Sequence, residues 1–229
     1  MPTLLILHGW GSSSKKWQKV RKILTSQGLN VLVPDLPGFG NASLPSKPWS
    51  VNDYVEWIRE FSEKENLSQF FLLGHSFGGR IAIKFSVKYP EKVSGLILSG
   101  VPAIRKKMET EENLAGILSK LSFIPGYQFL RKLFYKYILR KTDYIKLKGV
   151  MKETFKKIVA EDLAVYLPQI KAKTLILWGD KDDYVPVKTA SLIKERVINS
   201  EMIIFPGSGH SLQKEIPDKL SESMLNFIK

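Results

Sequence analysis

The run Gly74-His75-Ser76-Phe77-Gly78-Gly79 sets a serine between glycines. A glycine-x-serine-x-glycine run suits a tight strand-to-helix turn, because side chains there would obstruct the close approach of neighbouring backbones. Phe70–Leu73 before it reads as a strand, and Phe77–Tyr89 after it as a helix stopped by Pro90. Such a turn lifts the Ser76 hydroxyl above the sheet edge and places it at the positive end of a helix dipole. A serine hydroxyl is a poor nucleophile until a base takes its proton, normally a histidine. The chain has three. His75 adjoins Ser76, and its side chain is expected to point away from the hydroxyl. His8 lies in the turn after the first strand. His210 lies in Pro206-Gly207-Ser208-Gly209-His210-Ser211, a glycine-rich loop after the last strand. Open α/β sheets keep their sites at that edge, so elimination favours His210 as the base.

An imidazole base needs a carboxylate to fix its tautomer. Trp178-Gly179-Asp180-Lys181-Asp182-Asp183-Tyr184-Val185-Pro186 offers three acids in one loop, any of which could serve while the others remain a solvated turn. The order Ser…Asp…His is the one expected when a serine sits on such a turn. With no histidine beside the acids, a metal site there is the weaker reading. Acyl transfer also needs donors aimed at a developing oxyanion. The backbone N–H of Phe77 is one candidate, and that of Trp10, in His8-Gly9-Trp10-Gly11, is the second.

The elements that must position these groups form a regular rhythm. Apolar runs recur at Thr3–Leu7, Val31–Val33, Phe70–Leu73, Val93–Leu98, Thr174–Trp178 and Met202–Phe205. Runs apolar on both faces suit strands of a parallel sheet covered on each side. Between them lie helical patterns over Lys15–Gln27, from Ser50 onward, over Phe77–Tyr89, Val187–Ile198 and Leu220–Ile228. Ser50 with Asp53 resembles a capping box with a short acid. The alternation predicts an α/β, doubly wound, mostly parallel sheet of about six strands flanked by helices.

From Ala103 to Leu167 the rhythm breaks. Only helical pattern is found there, with Leu114, Ile117, Leu118 and Leu121 in one stretch and Phe129 to Ile138 in another. That is too long for a crossover, so an insertion over the sheet is expected. Between Arg105 and Lys157 stand fourteen Lys/Arg and five Asp/Glu, most of the chain's net charge of +13.

Composition excludes several classes. The 229 residues are 44% hydrophobic, a globular composition with length enough for a core. The absence of cysteine removes disulfides, thiolate catalysis and zinc-thiolate sites. No apolar run reaches the roughly 18 residues of a spanning helix. The opening Met1-Pro2-Thr3 lacks a basic leader and runs straight into a strand, so a cytoplasmic location is the expectation.

Taken together, these motifs resemble the α/β-hydrolase superfamily, in particular its lid-bearing serine esterase and carbon–carbon hydrolase branch. The resemblance covers nearly the whole chain. It rests on His8-Gly9-Trp10-Gly11, Asp35-Leu36-Pro37-Gly38-Phe39-Gly40, Gly74 to Gly79, Gly179 to Pro186 and Gly209-His210, in the family order. It implies a core of 1–102 and 168–229 with a helical lid at 103–167, and it selects Asp182 among the three acids. The sequence opens at the strand before His8-Gly9-Trp10-Gly11, without the family's usual first two strands. The Val31–Val33 strand is therefore expected at an unpaired edge, in a compact variant, beside a covering partner chain or after a truncated start. The resemblance implies a carboxylesterase for small to medium acyl esters, working through Ser76, His210 and Asp182, with Trp10 and Phe77 at the oxyanion and no cofactor or metal. Carbon–carbon-bond hydrolysis, and cleavage of acyl-carrier-protein methyl esters as by the similar pimeloyl-acyl-carrier-protein esterases, use the same groups. A hydrolase-like ligand receptor is a further alternative. The expected partner is a small-molecule ester. A basic lid would also suit an acidic carrier protein or an anionic membrane surface. Specific nucleic-acid binding is not expected, and the chain would be a monomer or homodimer.

Overall fold

A computed structural model describes residues 1–104 and 149–229. Six strands form one all-parallel sheet in the order β2-β1-β3-β4-β5-β6. The strands are β1 Thr3–Leu7, β2 Asn30–Leu32, β3 Phe70–His75, β4 Val93–Ser99, β5 Thr174–Gly179 and β6 Ser200–Phe205. The helices are α1 Gln18–Ser26, α2 Val51–Lys64, α3 Phe77–Lys88, α4 Gly149–Ala160, α5 Lys188–Arg196, the single turn α6 Leu212–Glu215 and α7 Pro217–Ile228.

Side chains alternate along each strand, so a continuous apolar run feeds two cores. Leu5, Leu7, Leu72, Leu96, Leu98, Ile176 and Trp178 pack on α2, α3 and α5 through Tyr54, Ile58, Ile81, Phe85 and Ile193. Leu4, Ile6, Leu73, Ile97, Leu175 and Leu177 face the other way, onto Val20 and Leu24 of α1 and Leu220 and Met224 of α7.

Several local expectations hold in detail. The Ser50 cap is a true box: Ser50 N–H donates to Asp53 Oδ2 at 2.6 Å while Asp53 N–H donates to Ser50 Oγ at 3.4 Å. The first helical stretch is instead divided, a 3-10 turn over Ser14–Trp17 running into α1. Asp35 Oδ1 takes the Ser14 N–H at 2.6 Å, fixing the start of that turn from outside. The second strand begins one residue earlier than expected. Among the described residues it pairs only with β1, so it is an edge.

Of the expected 103–167 insertion, residues 105–148 lie outside the described part, and with them the helical patterns at 114–121 and 129–138. Its last helix, α4, is described and buries Met151, Thr154 and Ile158. Trp49 N–H donates to Thr154 Oγ1 at 3.0 Å. Arg80 of α3 reaches both sides of the insertion, donating to the carbonyls of Pro102, Ile158 and Glu161. Lys84, one turn on, pairs with the Glu161 carboxylate.

Register sets the stage for the site. Leu7 lies level with Gly74, so the loop after β1 emerges beside the turn after β3. Gly179 lies level with Phe205, bringing the 180–185 and 206–211 loops together. The strand order reverses between β1 and β3, the crevice position favoured for ligands in open α/β sheets.

Candidate active site

Ser76 stands between β3 and α3 with φ 52° and ψ −114°. Non-glycine residues seldom adopt this conformation, and holding one there costs on the order of 1–3 kcal/mol. The surroundings leave no alternative. Ser76 N–H donates to Ser99 O at 2.8 Å, and Gly79 N–H to Ser76 O at 3.0 Å. A Cβ on Gly78 would lie 2.1 Å from Leu7 O, and one on Gly74 2.4 Å from Gly79 Cα. The glycines therefore let strand and helix close on each other, and the serine takes the resulting corner. Among the described residues Phe77 N–H and Trp10 N–H donate to no backbone or side-chain acceptor. Both remain available at the turn.

His210 Nδ1 lies 2.7 Å from Asp182 Oδ2. A carboxylate only accepts, so in the neutral imidazole Nδ1 carries the proton and Nε2 offers a lone pair. Asp182 Oδ1 accepts from the N–H groups of Tyr184 at 2.9 Å and Val185 at 2.8 Å. Its side chain is 1% exposed and that of His210 15%. The other two acids separate cleanly. Asp180 is spent on the loop itself, accepting from Gly207 N–H at 2.7 Å, and Asp183 is exposed.

The other two histidines are buried. His8 Nε2 accepts from Leu36 N–H at 3.0 Å, which leaves Nδ1 protonated and donating to Gly9 O at 2.9 Å. Burial holds its pKa below the usual imidazole value, against the opposing hydrogen bond to Gly9 and the charge of Asp35. In a trans peptide the N–H points opposite to the C=O, so tying Gly9 O to His8 aims Trp10 N–H the other way. The sequence reading missed this role. The His-Gly pair at a strand end was its only signal. His75 departs from expectation: instead of turning away, its ring packs 4.8 Å from that of His210 and lines the same cavity as Ser76. Its Nδ1–H donates to Ser99 O at 3.1 Å. Burial first, then the neighbouring His210, pushes its pKa down to about 3. It is a neutral wall rather than a base.

Gly9, Trp10, Ser76, Phe155, Tyr184 and His210 share the lining of a cavity of about 320 Å³. Trp10, in that lining, packs edge-on against Phe39 at 4.8 Å, Phe155 at 5.0 Å and Phe77 at 5.3 Å. Tyr184 lies 5.1 Å from the His210 ring and is largely exposed. The Asp35-Leu36-Pro37-Gly38-Phe39-Gly40 run backs Trp10 through Phe39. Burial favours the neutral acid at Asp35, but hydrogen bonds from Asn41 and Ser14 outweigh it and hold the carboxyl below its ordinary pKa. Among the described residues Ser76 Oγ makes no hydrogen bond. Its Oγ and His210 border one cavity without a hydrogen bond between them.

Fold and cavity together define a class. Residues 2–123 match the model of the alpha/beta hydrolase fold, and the chain belongs to that family. Among curated relatives it is similar to Lipase 1 of Psychrobacter immobilis, 28% identical over 98% of this chain and 76% of that one. It is 27% identical to the 2-hydroxy-6-oxononadienedioate/2-hydroxy-6-oxononatrienedioate hydrolase of Escherichia coli K12, over 99% of this chain and 86% of the relative. Among solved structures, an esterase from Exiguobacterium antarcticum superposes with a TM-score of 0.77 at 22% identity, covering 100% of this chain and 92% of that one. At that identity the superposition speaks to the fold alone.

Proposed function

We infer that this protein is a serine carboxylesterase acting on small to medium acyl esters through an acyl-enzyme. The observation that carries the reading is the Asp182–His210 contact at 2.7 Å in the same cavity as Ser76. His210 Nε2 takes the Ser76 proton as Oγ attacks the ester carbonyl, and Asp182 stabilises the imidazolium. Trp10 and Phe77 N–H groups receive the oxyanion. The alcohol leaves with the proton from His210. Water, deprotonated by His210, then attacks the acyl-Ser76 ester and releases the acid. The lipase relative supports an ester substrate.

The Escherichia coli relative, a hydrolase of dienedioates by its name, supports a second reading in which the same groups cleave a carbon–carbon bond. Residues 103–167 would form the lid in either case, and its charge would favour an acidic carrier protein or an anionic surface. Hydrolysis of p-nitrophenyl esters from C2 to C12 tests the first reading. Turnover abolished by Ser76→Ala is expected. Equal background rates in both proteins would reject it, and turnover of a vinylogous diketone in place of esters would favour the second.

A further inference from the structure

One flank of the cavity is basic in a way that the proposed ester chemistry does not use. Lys16, on the 3-10 turn Ser14–Trp17, and Lys214, on α6, both line it, as do Ser12, Ser211 and Gln213. The two short turns pack on each other, which brings both lysines to one cavity. No carboxylate lines the cavity among the described residues. The acids nearby are committed elsewhere: Glu215 accepts from Gly209 N–H at 2.6 Å and Ser211 N–H at 3.2 Å. Asp218 is paired with Lys19, and Asp35 holds Ser14 and Asn41. Lys16 and Lys214 have no ion-pair partner among the described residues.

We propose that the cavity takes esters carrying a second, anionic group, a carboxylate or a phosphate, held at the rim by Lys16 and Lys214. This rests on the reading of Ser76 as an ester-cleaving serine. The two lysines then set which ester is chosen, while Trp10, Phe77, Ser76 and His210 do the chemistry.

Calorimetric binding to the Ser76→Ala protein tests the anion site without turnover. Monomethyl adipate is compared with dimethyl adipate, and 4-acetoxybutyl phosphate with 1,4-diacetoxybutane. The anionic member of a pair is expected to bind about tenfold more tightly at low salt, with the gap shrinking as salt rises. Adding Lys16→Ala and Lys214→Ala should close the gap, and Lys16→Arg with Lys214→Arg should restore it. The pair with the larger gap tells carboxylate from phosphate. Equal affinities, a gap that survives the alanine changes, or no binding of either anion at millimolar concentration would overturn the proposal. A wild-type protein that cleaves no ester while the lysine-dependent gap stands would sink the esterase reading and leave the anion site. A protein that cleaves p-nitrophenyl esters without any gap would do the reverse.

Discussion

Two buried charges sit on either side of the β4 strand end, and they are satisfied differently. Asp182 takes two backbone N–H groups on one oxygen and the His210 imidazole on the other. Arg80 gives its terminal nitrogens to three carbonyls, those of Pro102, Ile158 and Glu161. Both arrangements repay desolvation with hydrogen bonds, as a buried charge requires. The difference lies in what is left over. At Asp182 the chain of bonds ends on an imidazole nitrogen open to a cavity. At Arg80 the terminal nitrogens are consumed by backbone, and only Nε lacks a partner. Burial pushes the guanidinium pKa down to about 10, partly opposed by Glu161 and Asp162. Under the proposed mechanism Asp182 serves chemistry and Arg80 structure. The two charges are of similar burial and differ in whether an atom at the end of the chain of bonds remains free for substrate.

The comparison can be broken first at its reactive end. Asp182→Asn should keep the fold yet lower kcat by about 10⁴, because the amide no longer enforces the protonated Nδ1. Esterase kinetics beside circular dichroism check this, and a small loss in kcat would place the charge elsewhere. Arg80→Met should do the opposite. Leaving three carbonyls without their donor is worth about 3 kcal/mol or more, a fall in Tm of about 10 °C in a domain of this size. Turnover per folded molecule should stay close to wild type.

The histidines sharpen the contrast at smaller scale. His75 is neutral when folded, with a pKa near 3, but titrates near 6.5 once unfolded. Below pH 6.5 the unfolded chain is then the better proton binder, so stability falls as the pH drops from 6.5 toward 3 and is unaffected above. Each unit in that window costs about 1.4 kcal/mol. His75→Asn, which keeps a donor for Ser99 O, should flatten the fall in Tm between pH 6.5 and 5. An unchanged slope would mean that the imidazole is not the group responsible. The smallest effect is expected at Ser50→Ala, about 1 kcal/mol of stability with no change in the pH dependence.

The sequence made the strands legible because parallel strands buried on both faces must be continuously apolar, as Leu4 to Leu7 and Leu175 to Trp178 are. The Ser76 turn was legible for a related reason. Gly74 and Gly78 are where backbones collide, and only one residue type fits. What could not be read depends on partners far along the chain. Nothing local to Arg80 announces that it will hold Ile158 and Glu161, and nothing near Lys16 announces Lys214. His75 was misplaced because its neighbour Ser76 suggested a direction, whereas Ser99 O and the space beside His210 decided it. The acid within Asp180, Asp182 and Asp183 came from resemblance to a family; the loop hydrogen bonds supply the physical reason.

The most direct measurement is covalent. Intact-mass analysis after treatment with an alkyl fluorophosphonate should show one phosphonyl adduct per chain, fluoride having left, and peptide mapping should place it on Ser76. The His210→Ala and Asp182→Asn proteins should label far more slowly. No adduct on a folded wild-type protein, or an adduct on another residue, would contradict an activated Ser76 and with it the account of the site.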